Sequence, residues 1–226
     1  MAKVTQQKHE ELTLQHRISG LIVKNRTFII AGLAAVFAVI TALIVVTAVS
    51  DGKRESAYEK IDTLIEKWNG EKSAGSDTLS AVEDGILADL EKIASANSRS
   101  FAGARANMAE AEIYFTRKDW ANAKAKYLAA ESAAPAAYTA GLNLFNAAVC
   151  AEEMGESDNA VEYLEKAVSL ENFSLKTRAL FNVARIQENL GQTEKAIAAY
   201  ERLTGDYAED EWTNLAKSRL IELSLK

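Results

Sequence analysis

The stretch Thr27–Ser50 contains no charged, Asn or Gln side chain over 24 consecutive residues. A helix of this length spans roughly 36 Å, since each residue adds about 1.5 Å, and a bilayer's hydrocarbon core is about 30 Å thick. In lipid the backbone must satisfy its own hydrogen bonds, and a helix does so within one segment. The stretch therefore predicts a transmembrane helix over residues 27–50.

Three other interpretations of this stretch are weaker. A buried helix of a soluble protein is usually shorter and carries a polar stripe. The sequence Ala48-Val49-Ser50 resembles a signal-peptide cleavage site, but the apolar run is longer than the about 7–15 residues of a signal core. A lipoprotein would need a Cys directly after the run, and the single Cys of the chain is Cys150.

The charge distribution predicts the orientation of this helix. Residues 1–26 contain five basic and two acidic residues, and Lys24 and Arg26 lie at the membrane edge. Basic residues favour the cytoplasmic side. Lys53 and Arg54 beyond the helix reduce the asymmetry. We therefore expect a cytoplasmic tail over residues 1–26 and an extracytoplasmic domain from residue 51 onward.

The composition of the domain argues against several functions. From residue 51 onward there are 21 basic and 30 acidic residues, so we expect no nucleic-acid partner. Both histidines, His9 and His16, belong to the tail, which leaves the domain without the commonest general base and metal ligand. It also contains no phosphate-binding loop or nucleophile motif. We expect no enzyme activity, catalytic residue, metal site or cofactor.

Residues 51–98 predict a pair of linking helices. Lys53–Trp68 and Leu79–Ala96 each place apolar residues at helical spacing with charges on the opposite side. The polar segment from Asn69-Gly70 to Ser76-Asp77 predicts the loop between them.

Residues 99–226 are self-similar. The units are Gly103–Pro135, Leu142–Asn172 and Thr177–Ala208, and the segment Glu211–Leu225 repeats only the first half of a unit. Equivalent small and large apolar residues recur with offsets of 37 and 36 residues: Ala123, Tyr127 and Ala130; then Ala160, Leu164 and Ala167; then Ala196, Tyr200 and Leu203. Gly155 and Gly191 fall at the turn between the two helices of a unit, where the first unit has Lys118.

This pattern resembles the tetratricopeptide repeat, a pair of antiparallel helices. Pro135 matches the terminal proline of that repeat, whereas Asn172 and Ala208 replace it in later units, and the spacing exceeds the usual period of about 34 residues. The resemblance implies an all-α fold, in which one transmembrane helix precedes an α-solenoid of helix hairpins with a C-terminal capping helix.

The layout of the whole chain is similar to the YfgM-type family of ancillary subunits of the bacterial SecYEG translocon. The segment Glu91–Tyr127 carries most of this similarity. The resemblance implies a single-pass protein of the bacterial inner membrane that associates with the secretion channel, its clients and chaperones.

The repeat resemblance also implies a peptide-binding groove lined by the first helix of each unit. Its candidate residues are Arg105, Met108, Phe115, Phe145, Asn146, Arg178, Phe181 and Arg185. Arginines beside phenylalanines suit an extended peptide with apolar side chains and a carboxylate. The alternative is that the phenylalanines are core residues and the arginines pair with nearby acids. Met108 and Glu112 depart from the repeat subclass that clamps the acidic tails of heat-shock proteins, so we do not expect that activity.

Together these observations predict a membrane-anchored adaptor that binds proteins or peptides on the extracytoplasmic face of the inner membrane, as a translocon accessory or chaperone-like factor. The alternative is a structural scaffold of the cell envelope that oligomerises through its solenoid.

Overall fold

The computed structural model describes residue 19 and residues 23–75, 77–208 and 210–225; most of the tail expected over residues 1–26 lies outside them. The regular elements of the described residues are all helices: α1 Arg26–Ala74, α2 Leu79–Ala96, α3 Phe101–Thr116, α4 Trp120–Ala133, α5 Ala140–Glu153, α6 Ser157–Ser169, α7 Lys176–Asn189, α8 Thr193–Asp206 and α9 Glu211–Ser224. The chain divides into two compact units, Met1–Glu55 and Ser56–Lys226.

In the first unit, α1 contains the apolar stretch. Its most apolar window has a mean hydropathy of 3.0 and none of that window is buried, so the helix is long and apolar enough to span a membrane. The hydroxyls of Thr41 and Thr47 donate hydrogen bonds of 2.9 and 3.0 Å to the carbonyls of Phe37 and Leu43. The polar groups of these threonines are therefore satisfied within the helix, as lipid requires.

The helix does not end with the apolar stretch. It continues to Ala74, so the loop predicted from Asn69 is wrong in its first part, and only residues 75–78 separate α1 from α2. Gly70 weakens a helix by roughly 1 kcal/mol, yet the helix runs through it, although residues 69–74 are exposed apart from the half-buried Glu71. Ile61 and Trp68 are buried against α2 and α3, and the indole of Trp68 donates a 2.8 Å hydrogen bond to Glu83.

The second unit is a solenoid of helix hairpins, as the repeats predict. The pairs α3–α4, α5–α6 and α7–α8 follow one another, and each helix packs against the next along the chain. Equivalent alanines lie at the crossing of each pair with at most 2% exposure: Ala111 and Ala123, Ala148 and Ala160, Ala184 and Ala196. These small side chains allow the helices to approach closely, and the buried Tyr127, Leu164 and Tyr200 fill the space around them.

The turn inside each hairpin has the same backbone conformation. Lys118, Gly155 and Gly191 have φ values of 58°, 75° and 71°. This left-handed region is readily available to glycine and costs energy for other residues. The equivalence of these three positions predicted from the repeat spacing is confirmed.

The last helix, α9, closes the solenoid by packing on α7 and α8. It buries Thr213, Ala216 and Leu223, and the ring of Trp212 lies 5.3 Å from that of Phe181. The all-α architecture, with a capping helix after three hairpins, is therefore confirmed.

Candidate functional site

The first helices of the three hairpins share a row of accessible side chains, which we call the first-helix surface. Its members are half-buried or exposed, and they recur every three or four residues except for Asn182, which follows Phe181 directly: Arg105, Met108, Glu112 and Phe115 on α3; Leu142, Asn146, Val149 and Glu152 on α5; Arg178, Phe181, Asn182, Arg185 and Glu188 on α7. This spacing places them along one side of each helix. The row contains seven of the eight predicted groove residues.

The eighth predicted residue, Phe145, does not lie on this surface. Its side chain is only 4% exposed, and its ring packs 6.3 Å from that of Phe173. Burying the apolar ring of Phe145 stabilises the fold. Phe145 is therefore a core residue, as the alternative interpretation proposed. The nearby Asn146 remains half-buried and contacts the Tyr127 hydroxyl.

Phe115 and Phe181 are accessible only in part. The ring of Phe115 makes an edge contact of 5.0 Å with Trp120. The ring of Phe181 lies 5.6 Å from Tyr200 and 5.3 Å from Trp212. These aromatic contacts fix both rings, so a ligand could touch only their outer edges.

Two of the three predicted arginines are already paired. Arg105 bonds Asp62 at 2.5 Å, and its guanidinium lies 5.5 Å from the centre of the Tyr58 ring. Arg185 donates two hydrogen bonds of 2.7 Å to Glu152, and this carboxylate raises the pKa of Arg185. Arg105 therefore connects α3 to the last part of α1, and Arg185 connects α7 to α5.

These pairs belong to a series that sequence reasoning missed. On the first helices, Arg219 of α9 pairs with Glu188 of α7. On the second helices, ion pairs join Lys126 to Glu91, Lys166 to Glu131 and Arg202 to Glu165. In these four pairs and in Arg185–Glu152 the basic residue follows its acidic partner by 31 to 37 residues, which is close to one repeat and visible in the sequence, whereas Arg105 follows Asp62 by 43.

Arg178 is different from the other two. It is exposed, and within the described residues no hydrogen bond or ion pair involves its side chain. Its guanidinium lies 5.2 Å from the Phe145 ring centre and 5.6 Å from that of Trp212. These cation–π contacts hold the group in place while its N–H donors remain available to an anion.

The first-helix surface has an acidic residue at the end away from Arg178, on α3. Glu112 is exposed, and desolvation by surrounding protein raises its pKa, while Lys72 acts in the opposite direction. A carboxylate here repels an anionic ligand. The surface is therefore suited to an anionic group at Arg178 and not at Glu112.

The possible metal ligands and the single cysteine are placed as follows within the described part of the chain. No group of three or more His, Cys, Asp or Glu side chains is arranged to hold a metal there. The Cys150 thiol is fully buried, and this burial raises its pKa to about 11. Such a thiol is unreactive near neutral pH.

Comparison with known proteins shows which repeat family the second and third hairpins match. Family models described as "Tetratricopeptide repeat" match residues 143–173 and 178–210, which cover the second and third hairpins. The chain therefore contains tetratricopeptide repeats. It is 41% identical over 152 residues to a "TPR repeat-containing protein" of Treponema pallidum (strain Nichols), a match that covers 67% of this chain and 64% of that relative, less than two thirds of its length.

Solved structures share the fold of the repeat region. A putative kinesin light chain of Podosopora anserina with nearly identical TPR-like repeats superposes with a TM-score of 0.56 and 14% identity, covering 72% of this chain and 84% of that one. A point-substituted form of the same protein gives the same TM-score at 13% identity, with the same coverage. Tetratricopeptide repeats bind other proteins, so the repeats matched at residues 143–173 and 178–210 imply a role in protein–protein interaction.

Proposed function

We propose that this tetratricopeptide-repeat protein is an adaptor of the bacterial inner membrane. Residues 27–50 anchor it, the N-terminus is cytoplasmic, and the solenoid binds proteins or peptides on the extracytoplasmic side. Its partners are the secretion channel or proteins that leave it, for which it acts as an accessory or chaperone-like factor. The resemblance to the YfgM-type family motivates this choice of partner.

The membrane anchor is supported by the exposure of α1. Large apolar side chains such as Phe28, Leu33 and Phe37 are 82%, 65% and 72% exposed. Exposed apolar surface of this extent is unfavourable in water and favourable in lipid. The basic residues before the helix support the proposed orientation.

The environment of Arg178 carries the binding proposal. Its guanidinium is held by two aromatic rings without a carboxylate partner among the described residues. Accessible apolar edges of Phe181 and Val149 belong to the same first-helix surface. This combination suits an extended peptide that places an acidic side chain or C-terminal carboxylate at Arg178 and apolar side chains along α5 and α7.

A comparison of two charge-removing variants tests this proposal. The full chain, retained in the membrane, is used to capture partners in its Arg178→Gln form and in its Lys195→Gln form. Lys195 is an exposed residue of α8, so its replacement removes one surface charge away from the first-helix surface.

We expect Arg178→Gln to reduce capture about tenfold or more, because a hydrogen bond to a charged group contributes roughly 1.5–3 kcal/mol. Lys195→Gln should retain the partners. Equal capture by both variants would contradict binding at Arg178, and capture of cytoplasmic proteins alone would contradict the proposed side of the membrane.

The second candidate function is a self-associating scaffold of the envelope. The observation that favours it is that the capping helix α9 carries two exposed apolar side chains, Leu215 and Ile221, at 45% and 63% exposure.

A further inference from the structure

The first-helix surface carries two side chains of opposite charge that form no ion pair within the described residues. Arg178 on α7 contacts two aromatic rings and no carboxylate there. Glu112 on α3 is exposed, and no hydrogen bond or ion pair in the same part of the chain involves its side chain. The other charged members of this surface are all paired: Arg105 with Asp62, Arg185 with Glu152 and Glu188 with Arg219.

Lys72 influences Glu112 without bonding it. The Lys72 ammonium lies 4.7 Å from the centre of the Trp68 ring and 3.5 Å from the Thr116 hydroxyl. Surrounding protein desolvates Glu112, and this effect, which is larger than the attraction of Lys72, raises the pKa of Glu112. A carboxylate that has lost water and gained no hydrogen-bond donor is stabilised when a cationic group is brought to it.

Glu112 and Arg178 lie on the same side of their helices, but at different levels. The repeat offsets of 37 and 36 residues make Arg178 equivalent to Arg105, and Glu112 follows Arg105 by seven residues on α3. Seven residues correspond to about two helical turns, so Glu112 faces the same way and lies roughly 10 Å further along the axis. The helix α5 lies between α3 and α7, and neighbouring helices pack roughly 8–10 Å apart, so about 20 Å separates the two charges.

We propose that the first-helix surface selects an extended segment in which a basic side chain lies about six residues from an acidic group, with the basic side chain at Glu112 and the acidic group at Arg178. An extended chain advances about 3.3 Å per residue, so six residues span the distance. Side chains that face the same surface are separated by an even number of residues, because they alternate along the segment. The inference rests on the proposed binding of peptides at Arg178 and adds the chemical class of the segment.

The middle of the surface carries no charge that would oppose such a segment. Between the two charges, α5 presents Leu142, Asn146 and Val149 as accessible side chains. Two of these three are apolar, which favours apolar side chains between the charged residues of the segment. Selectivity therefore comes from the two charged positions, and a segment with an acidic residue at Glu112 is rejected by repulsion.

Selection from a displayed library of random twelve-residue peptides tests the inference. The full chain is immobilised in detergent as wild type, as Glu112→Lys and as Glu201→Lys. Glu201 is an exposed residue of α8, so Glu201→Lys makes the same change of charge away from the first-helix surface. The sequences of the recovered peptides give the charge preferred at each position.

We expect wild type and Glu201→Lys to enrich peptides in which a Lys or Arg lies about six residues from an Asp or Glu. Glu112→Lys should instead enrich peptides with acidic residues at both positions, because the charge that faces the first of them is reversed. A synthetic peptide from the wild-type selection should bind Glu112→Gln about tenfold more weakly than wild type, since one charge-assisted hydrogen bond is lost.

Circular dichroism of each variant verifies the helical fold. If Glu112→Lys does not fold, the comparison of wild type with Glu112→Gln decides, and equal affinity of these two contradicts the inference. Peptides that carry an acidic residue without a basic one at a fixed spacing, or the same selection by Glu112→Lys as by wild type, would overturn it and leave peptide binding at Arg178 intact. Failure of wild type to enrich any peptide would contradict the proposed function as well.

Discussion

Arg185 and Glu152 join the first helices of the last two hairpins through two parallel hydrogen bonds of 2.7 Å. The two side chains are 36% and 35% exposed, so water still screens the pair in part. A bidentate pair of this kind fixes the relative position of α5 and α7 more than it adds free energy. The pair therefore holds the residues of α5 and α7 in fixed relative positions, including Arg178 on α7.

A double-mutant cycle should measure a small coupling between these residues. We expect Arg185→Gln and Glu152→Gln each to lower the free energy of unfolding by about 1 kcal/mol or less, with a coupling of roughly 0.5–1 kcal/mol. Urea unfolding followed by tryptophan fluorescence gives these values. Additive effects of the two substitutions would show that the pair contributes no interaction energy.

The buried carboxyl of Glu110 makes the stability of the second unit depend on pH. It is 2% exposed, Lys126 lies 2.9 Å from one of its oxygens, and its other oxygen has no hydrogen-bond partner in the described residues. Desolvation raises the pKa of Glu110 from its ordinary 4.5 to about 7, despite the opposing effect of Lys126. The folded state therefore holds the proton more tightly than the unfolded state.

It follows that Glu110 lowers the free energy of unfolding as pH rises from about 4.5 to about 7. The difference in unfolding free energy between wild type and Glu110→Gln should change in that direction by on the order of 2 kcal/mol between pH 5 and pH 8. Thermal unfolding of both proteins across this range measures the change. A difference that stays constant with pH would contradict the raised pKa.

Glu91 is the matched control, because it binds the same Lys126 from an exposed position. The hydrogen bond from Lys126 lowers the pKa of Glu91, so its stabilising contribution is lost as pH falls. Glu91→Gln should thus weaken the protein at neutral pH and have no effect at the acidic end. The two variants should show opposite pH dependences.

The left-handed turn positions predict opposite effects of two substitutions. Lys118 has a φ of 58°, which costs a residue with a side chain about 1 kcal/mol, and Lys118→Gly removes this cost. Gly191, at the equivalent turn with a φ of 71°, should lose a similar amount on substitution by Ala. Melting temperatures of the two variants on either side of wild type would agree with this prediction; a destabilised Lys118→Gly would not.

The repeats made most of the fold predictable from the sequence. Ala123, Ala160 and Ala196 could be placed at helix crossings because their spacing is regular and a small side chain has one obvious use there. The end of α1 was not predictable in the same way. Asn69 and Gly70 favour a loop locally, whereas the helix continues past the buried Trp68 and places the Lys72 ammonium 4.7 Å from the Trp68 ring centre, a contact that sequence alone does not reveal.

The sequence predicted which residues belong to the candidate site, but not which contacts their side chains make. Sequence spacing placed Arg105, Arg178 and Arg185 on first helices. Whether each arginine forms an ion pair depends on which side chain of the neighbouring helix faces it, and the spacing does not show this. Arg185 meets Glu152, whereas Arg178 meets the rings of Phe145 and Trp212. A similar reason applies to Phe145, whose burial is set by Phe173 from a loop that carries no repeat signal.

Reporter fusions should confirm the proposed orientation. With alkaline phosphatase joined after residue 226, we expect activity in a bacterial host, because this enzyme folds only outside the cytoplasm. Replacing Lys24 and Arg26 by Glu should lower this activity, since Lys53 and Arg54 then carry the larger positive charge. A fusion that is inactive in the wild-type chain would place the solenoid in the cytoplasm.

The most direct test of the central claim is photo-crosslinking in intact cells. A photoreactive amino acid replaces Asn182 on the first-helix surface or, as a control, Ala198 on the exposed side of α8. The account predicts that position 182 crosslinks to an extracytoplasmic partner, that position 198 does not, and that Arg178→Gln removes the crosslink. Crosslinks from position 198 with none from position 182 would contradict a binding role for the first-helix surface.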